Sequence, residues 1–220
     1  MKKKEKNTLI RGIGLLAAFA VWTLLIQVVD VQPAGVKGTD IGFAGMNTWF
    51  HQLTGVHLSL YVITDWLGLV PVFVCMVFAA LGLGQLIRRK HLRKVDTDIL
   101  LLGAYYIVVI GCYLAFEMIP INYRPILIDG RMEASYPSST TLLVLAVMPT
   151  LVWQVRSRAG FAKYRRPLCF AANMFSAFMV AGRLISGVHW LTDIVGAVLL
   201  SGGLYDIYKA GAEMWRKEEA

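Results

Sequence analysis

The sequence predicts an all-α integral membrane protein, a bundle of six helical spans with both termini in the cytoplasm. Three observations lead there: 57% of the 220 residues are hydrophobic and only 16% charged, the mean hydropathy is +0.58, and six apolar runs are separated by short, mostly basic segments. Average soluble domains carry about 25% charged residues, so this chain is too apolar for water. The same figures exclude intrinsic disorder, a collagenous fibre and a disulfide scaffold. Six spans of about 20 residues use most of the length and leave no room for a soluble module, so residues 1–220 read as one membrane domain. The formal charge of +8 resembles that of a nucleic-acid binder, but the basic residues sit in clusters between apolar runs and cover no single wet face; no nucleic-acid partner is implied.

The first span is 12–29. Lys2, Lys3, Lys4 and Lys6 precede it as in a secretory signal, yet the run is long and no small-residue cleavage site follows promptly, so it reads as uncleaved with Arg11 at its cytoplasmic edge. In the next loop Met46, Trp49, Phe50 and Leu53 recur at helical spacing, which suits a short helix at the outer interface or a lid packed on the bundle. His51 and His57 read as surface residues, and Asp65 as a charge at the start of span two, 66–87. Span three is 99–116. The fourth run reaches spanning length when it starts at Ser138, giving 138–155; spans five and six are 168–185 and 191–208. Cys75, Cys112 and Cys169 fall inside apolar runs and read as packing residues, while Gln154, Asn173 and Asp206 read as polar contacts between helices or at the interface.

Of the 22 lysines and arginines, 18 lie before span one, between spans two and three, between four and five, or after six. That asymmetry places the termini in the cytoplasm; the expected location of the chain is the plasma membrane. The four remaining are Lys37, Arg124, Arg131 and Arg183. Arg183 lies within an apolar run, where an ionised group costs about 3 kcal/mol and marks a function or a partner.

The outer side collects the other polar residues: Glu117, Asn122, Tyr123 and Arg124-Pro125 after span three, 136–141 at the start of span four, and Arg183, Ser186, His189 and Asp193 around the junction of spans five and six. Arginine's planar fork suits phosphate oxygens, so Arg124 and Arg183 are candidates to clamp them. Ser138 and Ser139 at a helix start offer free backbone N–H groups where the helix dipole is positive. On a continuous helix His189 and Asp193 share a face, so the carboxylate can keep one imidazole nitrogen protonated while the other attacks phosphorus. A purely structural reading makes Arg183 a snorkelling cation, Asp193 its partner and His189 an interfacial cap; the convergence of three segments on one membrane face argues against it. Glycine-rich nucleotide loops, zinc-spaced Cys/His sets and acidic clusters for a divalent ion are missing from the sequence, so no metal or cofactor is implied.

Arg183, five residues, His189, three residues, Asp193 resembles the last signature motif of the type 2 phosphatidic acid phosphatase (PAP2) superfamily: Ser-Arg, five residues, His, three residues, Asp. Arg124-Pro125 resembles the end of its first motif, Lys, six residues, Arg-Pro, and Pro137-Ser138 the opening of its second, Pro-Ser-Gly-His. The resemblance covers about 117–208 and implies a PAP2-like bundle that hydrolyses membrane lipid phosphates without metal, through a phosphohistidine on His189. Three positions depart from the pattern. Glu117 stands in place of the first motif's lysine, Ser139-Thr140 in place of Gly-His, and Gly182 in place of serine. A carboxylate at 117 repels phosphate unless it is protonated or paired with Arg124 or Arg131. Thr140 replaces the histidine that the resemblance assigns to protonating the leaving alkoxide, and loss of a positioned acid costs about 10² to 10⁴ in rate.

Two readings follow. Hydrolysis at the outer leaflet survives because the leaving group is good, as in a polyprenyl pyrophosphate, or because Glu117 donates the proton; a glycerophospholipid phosphate is the other expected substrate. Alternatively the protein is weakly active or inactive and binds or transports a lipid phosphate. A scaffold role comes third, and predicts that the outer arginines are replaceable.

Overall fold

The computed structural model describes residues 3–218. Its helices are α1 (Lys3–Ile26), α2 (Ala44–Thr54), α3 (Leu58–Leu67), α4 (Leu69–Arg89), α5 (Thr97–Met118), α6 (Ser139–Ser157), α7 (Arg165–Ile185) and α8 (Leu191–Glu218). Among the described residues six helical segments are long and apolar enough to cross a membrane, α3 and α4 counting as one. In the apolar windows of α6 and α8 56% of residues are buried, against 17% in α1 and in α3–α4, so α6 and α8 form the centre. The outer helices turn large apolar side chains outward, among them Leu24, Phe73, Ile107 and Phe170. That is the pattern of a bundle solvated by hydrocarbon.

Every expected span overlaps a helix, but the boundaries shift. The second begins at Leu58, not at 66, and is interrupted at Gly68. Pro71 explains the break: it has no N–H for the Leu67 carbonyl four residues back, and it is tolerated in the first turn of α4 where that donor is spare. The Gly68 amide instead bonds the Thr64 and Asp65 carbonyls at 3.0 Å each. Asp65 is therefore not at the start of a span; it sits in the last turn of α3.

α1 lies along α8, and glycines set their approach. A methyl group at Gly203 would come within 2.7 Å of Leu16, and one at Gly12 within 3.0 Å of the Gly203 carbonyl. Near the start of α1 Arg11 grips Asp206 through two hydrogen bonds of 2.5 and 2.6 Å, so Asp206 is an inter-helix contact. Gln154 accepts from Arg158 Nε at 2.7 Å and Asn173 donates to the Cys169 carbonyl at 2.8 Å. All three cysteines are free thiols.

α2 docks through Ala44 and Asn47, while Trp49 and Leu53 remain exposed. Asn47 donates to Thr192 Oγ1 at 3.1 Å and accepts from the Thr192 amide at 3.3 Å, which satisfies a spare donor in the first turn of α8. The loop 119–138 folds back as a hairpin. Asp129 and Gly130 at its tip both have positive φ, 47° and 75°, the conformation that an Asp-Gly pair supplies in a two-residue hairpin turn. Tyr136 anchors the returning arm: it is 1% exposed, bonds Thr23 at 2.7 Å, and lies so close to Gly196 that any side chain there would collide with its ring.

Candidate active site

The turn between α7 and α8 carries the centre of the cluster. Gly187 has φ of 70°, and a side chain on it would strike the Gly55 carbonyl, so only glycine fits. His51 Nε2 contacts the Gly187 carbonyl at 3.1 Å and the His57 amide donates to the Ser186 carbonyl at 2.9 Å. Both histidines thus meet the turn that presents His189. His51 is half-buried against Trp190, not the surface residue expected from its position in the loop.

His189 and Asp193 do not share a continuous helix, because α8 begins only at Leu191. They meet because Asp193, in the first turn, folds back: its Oδ2 accepts from the Trp190 amide at 2.8 Å, a capping contact at the helix N-terminus. His189 Nδ1 is 3.7 Å from Asp193 Oδ2, too long for a hydrogen bond. Ser135 fills the interval. Its hydroxyl donates to Asp193 Oδ2 and lies 3.2 Å from His189 Nδ1, so it can accept the Nδ1 proton. Asn122 donates to Asp193 Oδ1 at 3.0 Å. On the other edge of the ring, Arg183 Nη2 lies 3.4 Å from Nε2 and only a lone pair can accept from it. The contacts therefore select the tautomer with the proton on Nδ1. Burial first, then the charges of Arg124 and Arg183, hold the imidazole well below its ordinary pKa and keep it neutral.

Arg183 is 1% exposed and Arg124 7%. Both guanidiniums lie over the Tyr61 ring, at 5.0 and 5.6 Å from its centroid. The hairpin brings Arg124 beside Glu133, with Nη2 to Oε2 at 3.2 Å, while Arg183 Nη1 is 3.5 Å from Asp65 Oδ1. Even so, Arg124 Nη1 and Arg183 Nε and Nη1 have no hydrogen-bond partner among the described residues. An unmet charged donor at such depth is costly, and it is what an incoming anion satisfies.

Both arginines line a cavity of about 820 Å³, together with Tyr61, Asp65, Tyr113, Glu117, Glu133, Ser139 and Thr140. Ser138 is not free to join them. Its amide donates to the Asp193 carbonyl at 3.2 Å, which fastens α6 to α8, and its hydroxyl donates to Thr141 at 3.0 Å within the first turn of α6. The spare amides of the first turn belong to the residues after it, Ser139 and Thr140, which do reach the cavity wall. Glu117 is exposed on that wall, and its expected partner Arg124 pairs with Glu133 instead. Gly182 has a packing reason: a side chain there would meet Thr64 of α3 at 2.7 Å. Ser135, Tyr61 and Glu133 were not among the residues singled out from sequence. The Asp129-Gly130 pair is the signal that would have revealed the hairpin and, with it, Glu133 and Ser135.

Fold and cluster together define a multi-pass helical membrane protein in which two buried arginines lie beside a buried histidine. The profile of the PAP2 superfamily matches residues 113–209 of the chain. In fold it is similar to the crystal structure of a transmembrane PAP2-type phosphatidylglycerolphosphate phosphatase from Bacillus subtilis, at 16% identity and a TM-score of 0.54, covering 93% of this chain and 96% of that one. No curated protein matches the chain.

Proposed function

We propose that the protein is a lipid phosphate or pyrophosphate phosphatase of the plasma membrane, working through a phosphohistidine at the outer leaflet with both termini in the cytoplasm. The observation that carries this reading is the buried chain Arg183, His189, Ser135, Asp193, with the lone pair of Nε2 turned toward the guanidinium that lines the cavity. Arg124, Arg183 and the Ser139 and Thr140 amides hold the phosphate oxygens; their charge–dipole contacts strengthen as the transition state forms. His189 Nε2 attacks phosphorus. The positive charge that develops on the ring is taken up at Nδ1 by Ser135 and, behind it, by Asp193. Water then attacks the phosphohistidine and releases inorganic phosphate. No metal enters any step.

The leaving group needs separate treatment. Thr140 lines the cavity where a general acid is wanted, but a hydroxyl is too weak an acid at neutral pH. This favours substrates that leave readily, such as a polyprenyl pyrophosphate, or proton supply from elsewhere, Glu117 included. The same observation supports the second reading, a lipid phosphate binder with little turnover.

Purified protein in detergent is expected to release phosphate from a lipid phosphate or pyrophosphate in the presence of a chelator, and His189→Ala to abolish release. Equal inertness of wild type and His189→Ala toward both substrate types, with lipid phosphate still bound, defeats the enzyme reading in favour of the binder.

A further inference from the structure

The cavity has more negative charge than a pure phosphate seat calls for. Asp65 from α3, Glu117 from α5 and Glu133 from the hairpin share its wall with two arginines, and His189 is neutral. Asp65 and Glu133 each face an arginine. Glu117 forms no ion pair among the described residues and stands exposed to the cavity, one helical turn from Tyr113, with Tyr123 also on the wall. The buried arginine donors without partners demand an anion in the same space. A ligand carrying only phosphate satisfies them but worsens the surplus of carboxylates. A ligand with a cation beside its phosphate satisfies both. Among the described residues no three carboxylate, histidine or cysteine side chains converge as metal ligands, whereas a carboxylate beside aromatic rings is a fitting seat for an ammonium group.

We propose that this site takes a lipid phosphate whose head also bears an amine, with the phosphate on Arg124 and Arg183 and the ammonium on Glu117 beside Tyr113. The assignment rests on the phosphatase reading for its chemistry and supplies what Thr140 lacks. When Nε2 bonds to phosphorus, the ester oxygen leaves with the bonding pair and takes a proton from the neighbouring ammonium, yielding a neutral amino alcohol. Water then attacks the phosphohistidine, loses a proton to solvent, and frees phosphate and His189.

The test compares a long-chain 2-amino-alcohol phosphate with its N-acetyl counterpart, equal in chain and phosphate. Both are titrated onto the full chain in detergent as His189→Ala, with and without Glu117→Gln. The expected result is binding of the amine at least about tenfold tighter, narrowed to within about threefold by Glu117→Gln. Equal binding of the two lipids, a preference that survives Glu117→Gln, or binding of neither overturns the proposal. Phosphate release by the wild-type protein, followed in parallel, separates it from the reading beneath it. Selective binding without release by wild type sinks the phosphatase and leaves the head-group assignment standing; release from both lipids at equal kcat/KM does the reverse.

Discussion

Ser135→Ala is the substitution that examines the buried relay most directly. The hydroxyl is 3.2 Å from His189 Nδ1 and donates to Asp193 Oδ2, whereas the direct histidine–carboxylate distance is 3.7 Å. Without it the Nδ1 proton loses its hydroxyl link to Asp193 just as the ring gains positive charge, and only the Ser135 backbone is left to it. A hydrogen bond to a charged group contributes about 2 kcal/mol, and at 1.36 kcal/mol per decade that is a fall of about 30-fold in kcat. Asp193 keeps its bonds from Asn122 at 3.0 Å and from the Trp190 amide at 2.8 Å, so the turn itself persists. Ser135 does not line the arginine cavity, and KM is expected to stay within about twofold of wild type. The assay is phosphate release against lipid phosphate concentration, with a detergent melting curve to establish that the variant is folded. A folded variant whose kcat is within about twofold of wild type, or whose loss falls wholly in KM, refutes the relay.

Four further outcomes are expected. Because burial and two arginines lower the His189 pKa, the free enzyme keeps a neutral imidazole as pH falls past the ordinary value of about 6.5; kcat/KM is expected to decline only below that, and an apparent pKa at or above 6.5 in the acid limb contradicts the buried, arginine-flanked nucleophile. The same shift stabilises the fold above about pH 6.5 and is lost as pH falls through the folded-state value, so detergent melting temperatures are expected to drop on acidification. Thr140→His is expected to raise kcat for simple alkyl phosphates by about 10- to 100-fold, with less gain for pyrophosphates; no gain with alkyl phosphates means that the proton already has another source. Single cysteines placed near Lys37 or Arg131 are expected to react with an impermeant thiol reagent from outside intact cells, and one near Arg89 to be protected; the opposite pattern inverts the proposed orientation.

The membrane class and the six helical spans were legible in the sequence because hydrocarbon leaves a backbone few choices: an apolar run of sufficient length must close its own hydrogen bonds, and composition alone reports that. The spacing of Arg183, His189 and Asp193 was equally local, and they do meet, although through a turn and a helix cap and not along one helix face. What lay beyond the sequence depended on pairings between distant segments. Ser135 reaches His189 only because an Asp-Gly hairpin returns the chain and Tyr136 locks it against α1 and α8. The Ser138 amide is spent on α8, which moves the spare amides on by one residue, and Gly182 is small because Thr64 of another helix needs the space. Charge balance in the cavity is the clearest case. Asp65, Glu117 and Glu133 are far apart along the chain, and their shared wall exists only once α3, α5 and the hairpin are packed together, since electrostatic interaction follows distance in space and not order in sequence.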